Sequence, residues 1–238
     1  NSNIMMSIDG GSNWVITGPI GRWRDIEFKP GTPSTLYAAK QSSGGSNVYR
    51  STDGGANWNV INNGMSGSRY RPLIAVTPDN PNVIYALFSA SDYSFHGLYK
   101  SSDAGDNWTL QSNSPNILGR ETDGSGSGGQ SWYDLSLAVS TDNENLLYVG
   151  GINLWKTING GQNWTINASS GSSSSYSYMH VDQHAAEFNP LNHIAYAGND
   201  GGFYKYMDNL NTWVDISDGL EISQFYRLGL SQSNPDRL

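Results

Sequence analysis

The chain has 238 residues, a formal net charge of −8, 28 glycines, 14 tyrosines, 8 tryptophans and only 14% charged residues. The acidic balance disfavours nucleic acid as a partner, and the lack of cysteine removes disulfides, thiolate metal ligands and thiol catalysis. No apolar run reaches the 18 residues of a membrane helix, so no transmembrane segment is expected, and no window holds a helical period.

In chain order, the first element is a pair of short strands around the turn Ser7-Ile-Asp9-Gly-Gly11-Ser-Asn-Trp14; residues 1–20 supply only the last two strands of a first, partial repeat. Residues 21–66 then form a complete repeat. Its inner strand is Arg24–Phe28 and its second Thr35–Ala39; a third runs into Ser51-Thr-Asp53-Gly-Gly55-Ala-Asn-Trp58, and a fourth starts at the tryptophan. Residues 67–116 repeat the pattern with Arg71–Thr77, Val83–Phe88 and Ser101-Ser-Asp103-Ala-Gly105-Asp-Asn-Trp108. The glycine-rich stretch Ser112–Gln130 reads as a top loop with three open roles: a lid, a calcium loop or a disordered segment. Residues 130–170 follow with Trp132–Val139, Leu146–Gly150 and Thr157-Ile-Asn159-Gly-Gly161-Gln-Asn-Trp164. Residues 178–219 carry Val181–Phe188, His193–Ala197 and a worn turn copy with Asp208 and Trp213. Residues 220–238 start a further repeat, with an inner strand near Gln224–Ser231 and a turn at Asn234-Pro235-Asp236.

The turn copies begin at positions 7, 51, 101, 157 and 206, a spacing of 44 to 56 residues that fits one small antiparallel sheet per repeat. Within each copy a hydroxyl opens a tight turn, the aspartate accepts backbone N–H bonds, the glycine supplies positive φ, and the tryptophan resumes the next strand with a large apolar surface. Four strands per repeat make a propeller blade. The expected fold is an all-β propeller of four-stranded antiparallel blades with the turn motif between strands three and four. With a partial first repeat and a started last one, either the two ends pair to complete a fifth blade or, the favoured expectation, the chain is a segment of a ring of seven or more blades with the remainder of a longer chain around it.

These turns resemble the Asp-box, or BNR repeat, of sialidases, xyloglucan-hydrolysing propellers, the sortilin ectodomain and a photosystem assembly factor. In those families the box stabilises turns at the blade periphery, so the resemblance implies structural roles for Ser7, Asp9, Gly11, Trp14, Ser51, Asp53, Gly55, Trp58, Ser101, Asp103, Gly105, Trp108, Thr157, Asn159, Gly161, Trp164, Asp208 and Trp213. The stretches Gln130–Asp134, Val149–Lys156, His180–His184, Gly198–Gly202 and Gln224–Tyr226 look like a group of large exported Bacteroidetes propellers labelled glycosyl hydrolase-like, many with a C-terminal type 9 secretion sorting domain. That resemblance implies an extracellular or cell-surface location. The arginine triad, tyrosine nucleophile and early Phe/Tyr-Arg-Ile-Pro motif of sialidases have no counterpart.

With inner strands running top to bottom, the boxes fall at the bottom, while the loops entering each inner strand and those between strands two and three fall at the top, where propellers usually bind ligands. The ligand-binding candidates there are Arg24, Arg71, Trp132, Tyr133, His180, His184, Asn199 and Tyr226, and the catalytic candidates are Asp134, Asp182 and Asp200. On a strand, His180, Asp182 and His184 share one face. Three readings of them stand: a metal site, for calcium or another divalent ion; an acid/base cluster; or a hydrogen-bonded ladder in a wet channel. Asp134 and Asp182, on neighbouring inner strands, fall within range of the ~5 to 9.5 Å carboxyl spacings of glycosidases. Trp132 and Tyr133 suit stacking on sugar rings or packing between blades. The expected role is therefore a binding or adhesion module for a polysaccharide or protein ligand, with a glycoside hydrolase at the channel mouth as the alternative.

Overall fold

A computed structural model describes residues 3–171 and 173–220. All regular elements among them are strands. β1 (Ile4–Met6) and β2 (Val15–Thr17) form a two-stranded hairpin. The first full blade is β3 (Arg22–Phe28), β4 (Leu36–Gln41), β5 (Asn47–Ser51) and β6 (Asn59–Val60); the second is β7 (Pro72–Val76), β8 (Ile84–Ser89), β9 (Phe95–Ser101) and β10 (Thr109–Ser112). The third is β11 (Ser136–Val139), β12 (Leu147–Gly150), β13 (Leu154–Thr157) and β14 (Thr165–Ser169), extended by β15 (Ser177–Tyr178). The fourth is β16 (Gln183–Phe188), β17 (Ala195–Asn199), β18 (Gly202–Met207) and β19 (Thr212–Asp215). Every blade is an antiparallel meander, and the inner strands β3, β7, β11 and β16 lie side by side around a common axis. The architecture is a β-propeller, as the repeat predicts.

Three details depart from the sequence expectations. Residues 130–134 form a tight turn, in which the Gln130 carbonyl accepts from the Tyr133 and Asp134 amides, so the inner strand starts at Ser136 and not at Trp132. The fourth inner strand starts at Gln183 and not at Val181, because Asp182 takes φ 68° and breaks the extended run. Tyr178, expected at the start of the fourth blade, instead pairs in parallel with Ser169 at the edge of the third.

The box turns owe their shape to hydrogen bonds that repeat almost unchanged. In the second copy Ser51 Oγ donates to Asp53 Oδ1 at 2.8 Å and accepts from the Gly55 amide at 2.8 Å, while Asp53 Oδ1 accepts from the Asn57 amide at 2.9 Å. In the first three copies the asparagine before the tryptophan, which the sequence reading did not single out, also anchors the aspartate through its side chain. These bonds hold Asp9, Asp53 and Asp103 down at about pKa 2, the Asn13 and Asn57 amides and the Asn107 side chain being the strongest influences. Asp208, whose copy carries Tyr206 in place of the hydroxyl residue, lacks this ladder.

The apolar cores lie between blades and not within them. Tyr37, Ala39 and Val48 of the first blade pack with Ile74, Ile84 and Phe88 of the second; Tyr148 and Leu154 of the third pack with Ala186 and Phe188 of the fourth. The box glycines take part: a Cβ on Gly161, at φ 88°, would meet Leu98 of the preceding blade at 2.2 Å. Trp108 donates its indole N–H to the Ile61 carbonyl of the first blade at 2.6 Å, and Trp164 donates to Ser112 Oγ at 2.9 Å. On the open flank of the first blade, beside the short hairpin, Ile26 and Phe28 stay exposed.

Trp108 is 4% exposed and Trp14 is 56% exposed. Trp108→Ala is therefore expected to lower the unfolding free energy by ~3–5 kcal/mol, and Trp14→Ala by less than about 1 kcal/mol. Urea denaturation of the two variants checks the contrast; equal losses would contradict the inter-blade role.

Candidate functional site

The loops entering β11 and β16 meet at the top of the third and fourth blades. The tight turn before β11 projects Trp132 (60% exposed) and Tyr133 (43% exposed) outward, while the Arg71 guanidinium, from the segment entering β7, holds the turn by donating to the Ser131 carbonyl. From the fourth blade, Asp200 in the β17–β18 loop accepts from Tyr133 OH at 2.8 Å and from His184 Nε2 at 2.8 Å. The Tyr133 ring meets the His184 imidazole edge to face, at 4.9 Å and 88°, and Trp132 lies 5.6 Å from Tyr133. Burial alone would raise the Asp200 carboxyl, but the bonds from Tyr133 and His184, with the charges of His184 and His180, outweigh it and hold the group below its ordinary value. The result is an aromatic ledge with its polar edge fixed from the neighbouring blade.

Beneath the ledge the two blades are joined by a carboxyl pair. Gln130 Nε2 donates to Asp134 Oδ2 at 2.9 Å and also to Asp182 Oδ1. Asp134 is fully buried, and its Oδ1 has no partner among the described residues. Burial pushes its carboxyl up to about 7; the Gln130 bond opposes this, and the Asp182 charge, within hydrogen-bonding reach, adds to it. Asp134 therefore holds its proton up to near neutrality, beside the Asp182 carboxyl. The expected glycosidase spacing is not formed: two carboxyls in contact leave no room for a sugar ring or an attacking water between them.

The His180-x-Asp182-x-His184 alternation also fails to put three groups on one face. Asp182 is in the left-handed region, a register shift separates Gln183 from Ala185, and the three side chains diverge. His180 Nδ1 donates to the Val181 carbonyl, Asp182 turns to Gln130, and His184 turns to Asp200. Among the described residues no group of three or more His, Asp or Glu side chains is placed to hold a metal, so the calcium or divalent-ion reading gains no ligand set. Asn199 serves the loops, donating to the His180 carbonyl at 3.0 Å and accepting from the Gly201 and Gly202 amides. Arg24 donates to Gln41 Oε1 at 2.6 Å within its own blade, away from the ledge. Tyr226 and the Gln224–Ser231 strand lie outside the described residues.

The 112–130 segment is a packed loop and not a lid. Ile117 and Leu118 are buried in the core between the second and third blades. Asn116 donates to the Gly126 and Gly128 carbonyls, and Asn153 donates to those of Gly119 and Arg120. Three further carboxylates lie on the inner strands, Asp25 and Glu27 on β3 and Glu187 on β16, to none of which the sequence reading gave a role. Burial, aided by the Asp25 and Glu187 charges, raises Glu27 to about 7. The acidic residues Asp25, Glu27 and Glu187, within stretches that the sequence already marks as inner strands, were the available signal.

No protein-family model and no curated protein matches the chain. Among solved structures, it is similar to an ancestral GH74 enzyme at 18% identity and TM-score 0.61, over 92% of this chain and 29% of that one. It is also similar to the GH74 xyloglucanase from Xanthomonas campestris, at 14% identity and TM-score 0.59 over 85% of this chain and 31% of that one. YCF48 from Cyanidioschyzon merolae matches at 16% identity and TM-score 0.50, over 84% and 57%. At these identities the likeness is one of fold. The chain spans less than a third of the two GH74 enzymes and about three-fifths of YCF48.

Asp134 sets a pH dependence. Its folded pKa of about 7 lies above the ordinary 3.8, so between those values the unfolded chain binds fewer protons and stability falls as pH rises. The contribution of protonated Asp134 is full below about pH 4 and lost as pH rises through about 7, on the order of a few kcal/mol in all. Asp134→Asn, neutral throughout, should flatten this part of the profile in denaturation measured at successive pH values; an unchanged slope would contradict the buried pair.

Proposed function

We propose that the chain is a glycan-binding segment of a larger extracellular β-propeller, and that polysaccharide lies across the Trp132–Tyr133 ledge. The observation that carries this reading is the exposed Trp132 ring beside a Tyr133 whose hydroxyl is held by Asp200 of the next blade. Such a pair offers flat apolar area at little entropic cost, because the second ring is fixed before a ligand arrives. His184 and Asp200 place polar groups at the edge of the rings, as a hydroxyl-rich ligand requires. The exposed Ile26 and Phe28 flank supports the larger ring, since the equivalent faces of the other blades are covered. An outside location rests on the resemblance to exported propellers.

Recognition is favoured over hydrolysis by the state of the carboxylates. Asp134 is buried against Asp182, and Asp200 is engaged by Tyr133 and His184. Because the xyloglucanase similarity suggests β-glucan backbones as probes, xyloglucan is the first ligand to test. Trp132→Ala should weaken xyloglucan binding at least ~30-fold, as loss of a ~2 kcal/mol anchor implies, without moving the thermal midpoint. Unchanged binding, or release of reducing ends by the wild-type protein, would overturn the reading.

A further inference from the structure

A cavity of about 260 Å³ has Gln130 and Asp182 in its wall, with Arg120, Asn153 and Ser170, and none of the ledge residues lines it. Cavity and ledge share a wall: Gln130 stands three residues before Tyr133, and Asp182 two before His184. The volume lies below the ~300–1,000 Å³ of sites for drug-sized ligands, which limits the occupant to about one ring. Its polar groups are mixed. Asn153, 2% exposed, uses its Nδ2 on the Gly119 and Arg120 carbonyls, while its Oδ1 has no partner among the described residues. The Asp182 carboxylate adds an acceptor, and the exposed Arg120 and Ser170 add donors at the rim. A single sugar ring, whose hydroxyls both donate and accept, matches this set; a purely cationic or purely anionic group leaves half of it unpaired.

We propose that this cavity receives the terminal pyranose of a neutral glycan whose following residues cross the Gln130–Asp182 wall onto the Trp132–Tyr133 ledge. The site then reads chain ends, and Asn153, Asp182 and Arg120 determine that preference. The inference rests on the glycan reading of the ledge. It requires that one ring enter a recess of about one ring's volume, which the interior of a polymer cannot do without bending back on itself.

The test uses an exposed rim residue, so that folding is not at issue. Ser170→Trp fills the cavity mouth, and Ser170→Ala is its control. Calorimetric titration with a xyloglucan oligosaccharide, rich in ends, and with high-molecular-mass xyloglucan, poor in ends, should show Ser170→Trp weakening the oligosaccharide about tenfold or more, equivalent to ~1.4 kcal/mol. Polymer binding should change little in that variant, whereas Trp132→Ala should weaken both ligands. Oligosaccharide affinity unchanged in Ser170→Trp, or equal losses for oligosaccharide and polymer, would overturn the chain-end site while leaving the ledge intact. Wild-type protein that binds neither ligand would overturn the ledge and the cavity together.

Discussion

The structure depends on the packing of one blade face against the next. Each sheet is too small to bury an apolar face alone, and the cores that form are shared: Tyr37 and Val48 with Ile74 and Phe88, Leu98 with Leu137 and Val149, Tyr148 with Ala186 and Phe188. The box turns serve this packing. Their hydrogen-bonded loops set the glycines Gly105 and Gly161 against Ile61 and Leu98 of the preceding blade, where any side chain would collide. The same turns aim the indoles of Trp108 and Trp164 across the joint.

Since the blades are fixed to one another, loops from two blades can hold one surface in a single shape. Tyr133 comes from the third blade and Asp200 with His184 from the fourth, and their bonds cross the joint. Beneath them the Gln130, Asp134 and Asp182 cluster crosses it again, with the Asp134 carboxyl pushed up by burial. A buried carboxyl with an orphan oxygen is costly, and here it lies directly under the exposed rings. The cluster is thus best understood as a positioning element of a binding surface, with the Arg71 bond to Ser131 as its third anchor.

Much of this was legible in the sequence. The box spacing gave the period, the residues between boxes gave the strand order, and the top face did bring Trp132, Tyr133, His184 and Asp200 together. Side-chain direction at the strand mouths was not legible. Alternation along His180, Asp182 and His184 presumes extended backbone, and the positive φ of Asp182 removes that premise. Likewise the glycines of 112–130 suggested a loose loop, whereas the apolar pair Ile117–Leu118, inconspicuous among polar neighbours, plugs it into the core. Long-range bonds such as Gln130 to Asp182 span 52 residues and follow only from the assembled blades.

The most direct test of the central claim is a crystal structure of the protein with a bound xyloglucan oligosaccharide. The account predicts a sugar ring stacked on Trp132 within van der Waals distance and the Tyr133–Asp200–His184 bonds intact. An oligosaccharide held elsewhere on the propeller, with the Trp132 face bare, would contradict it.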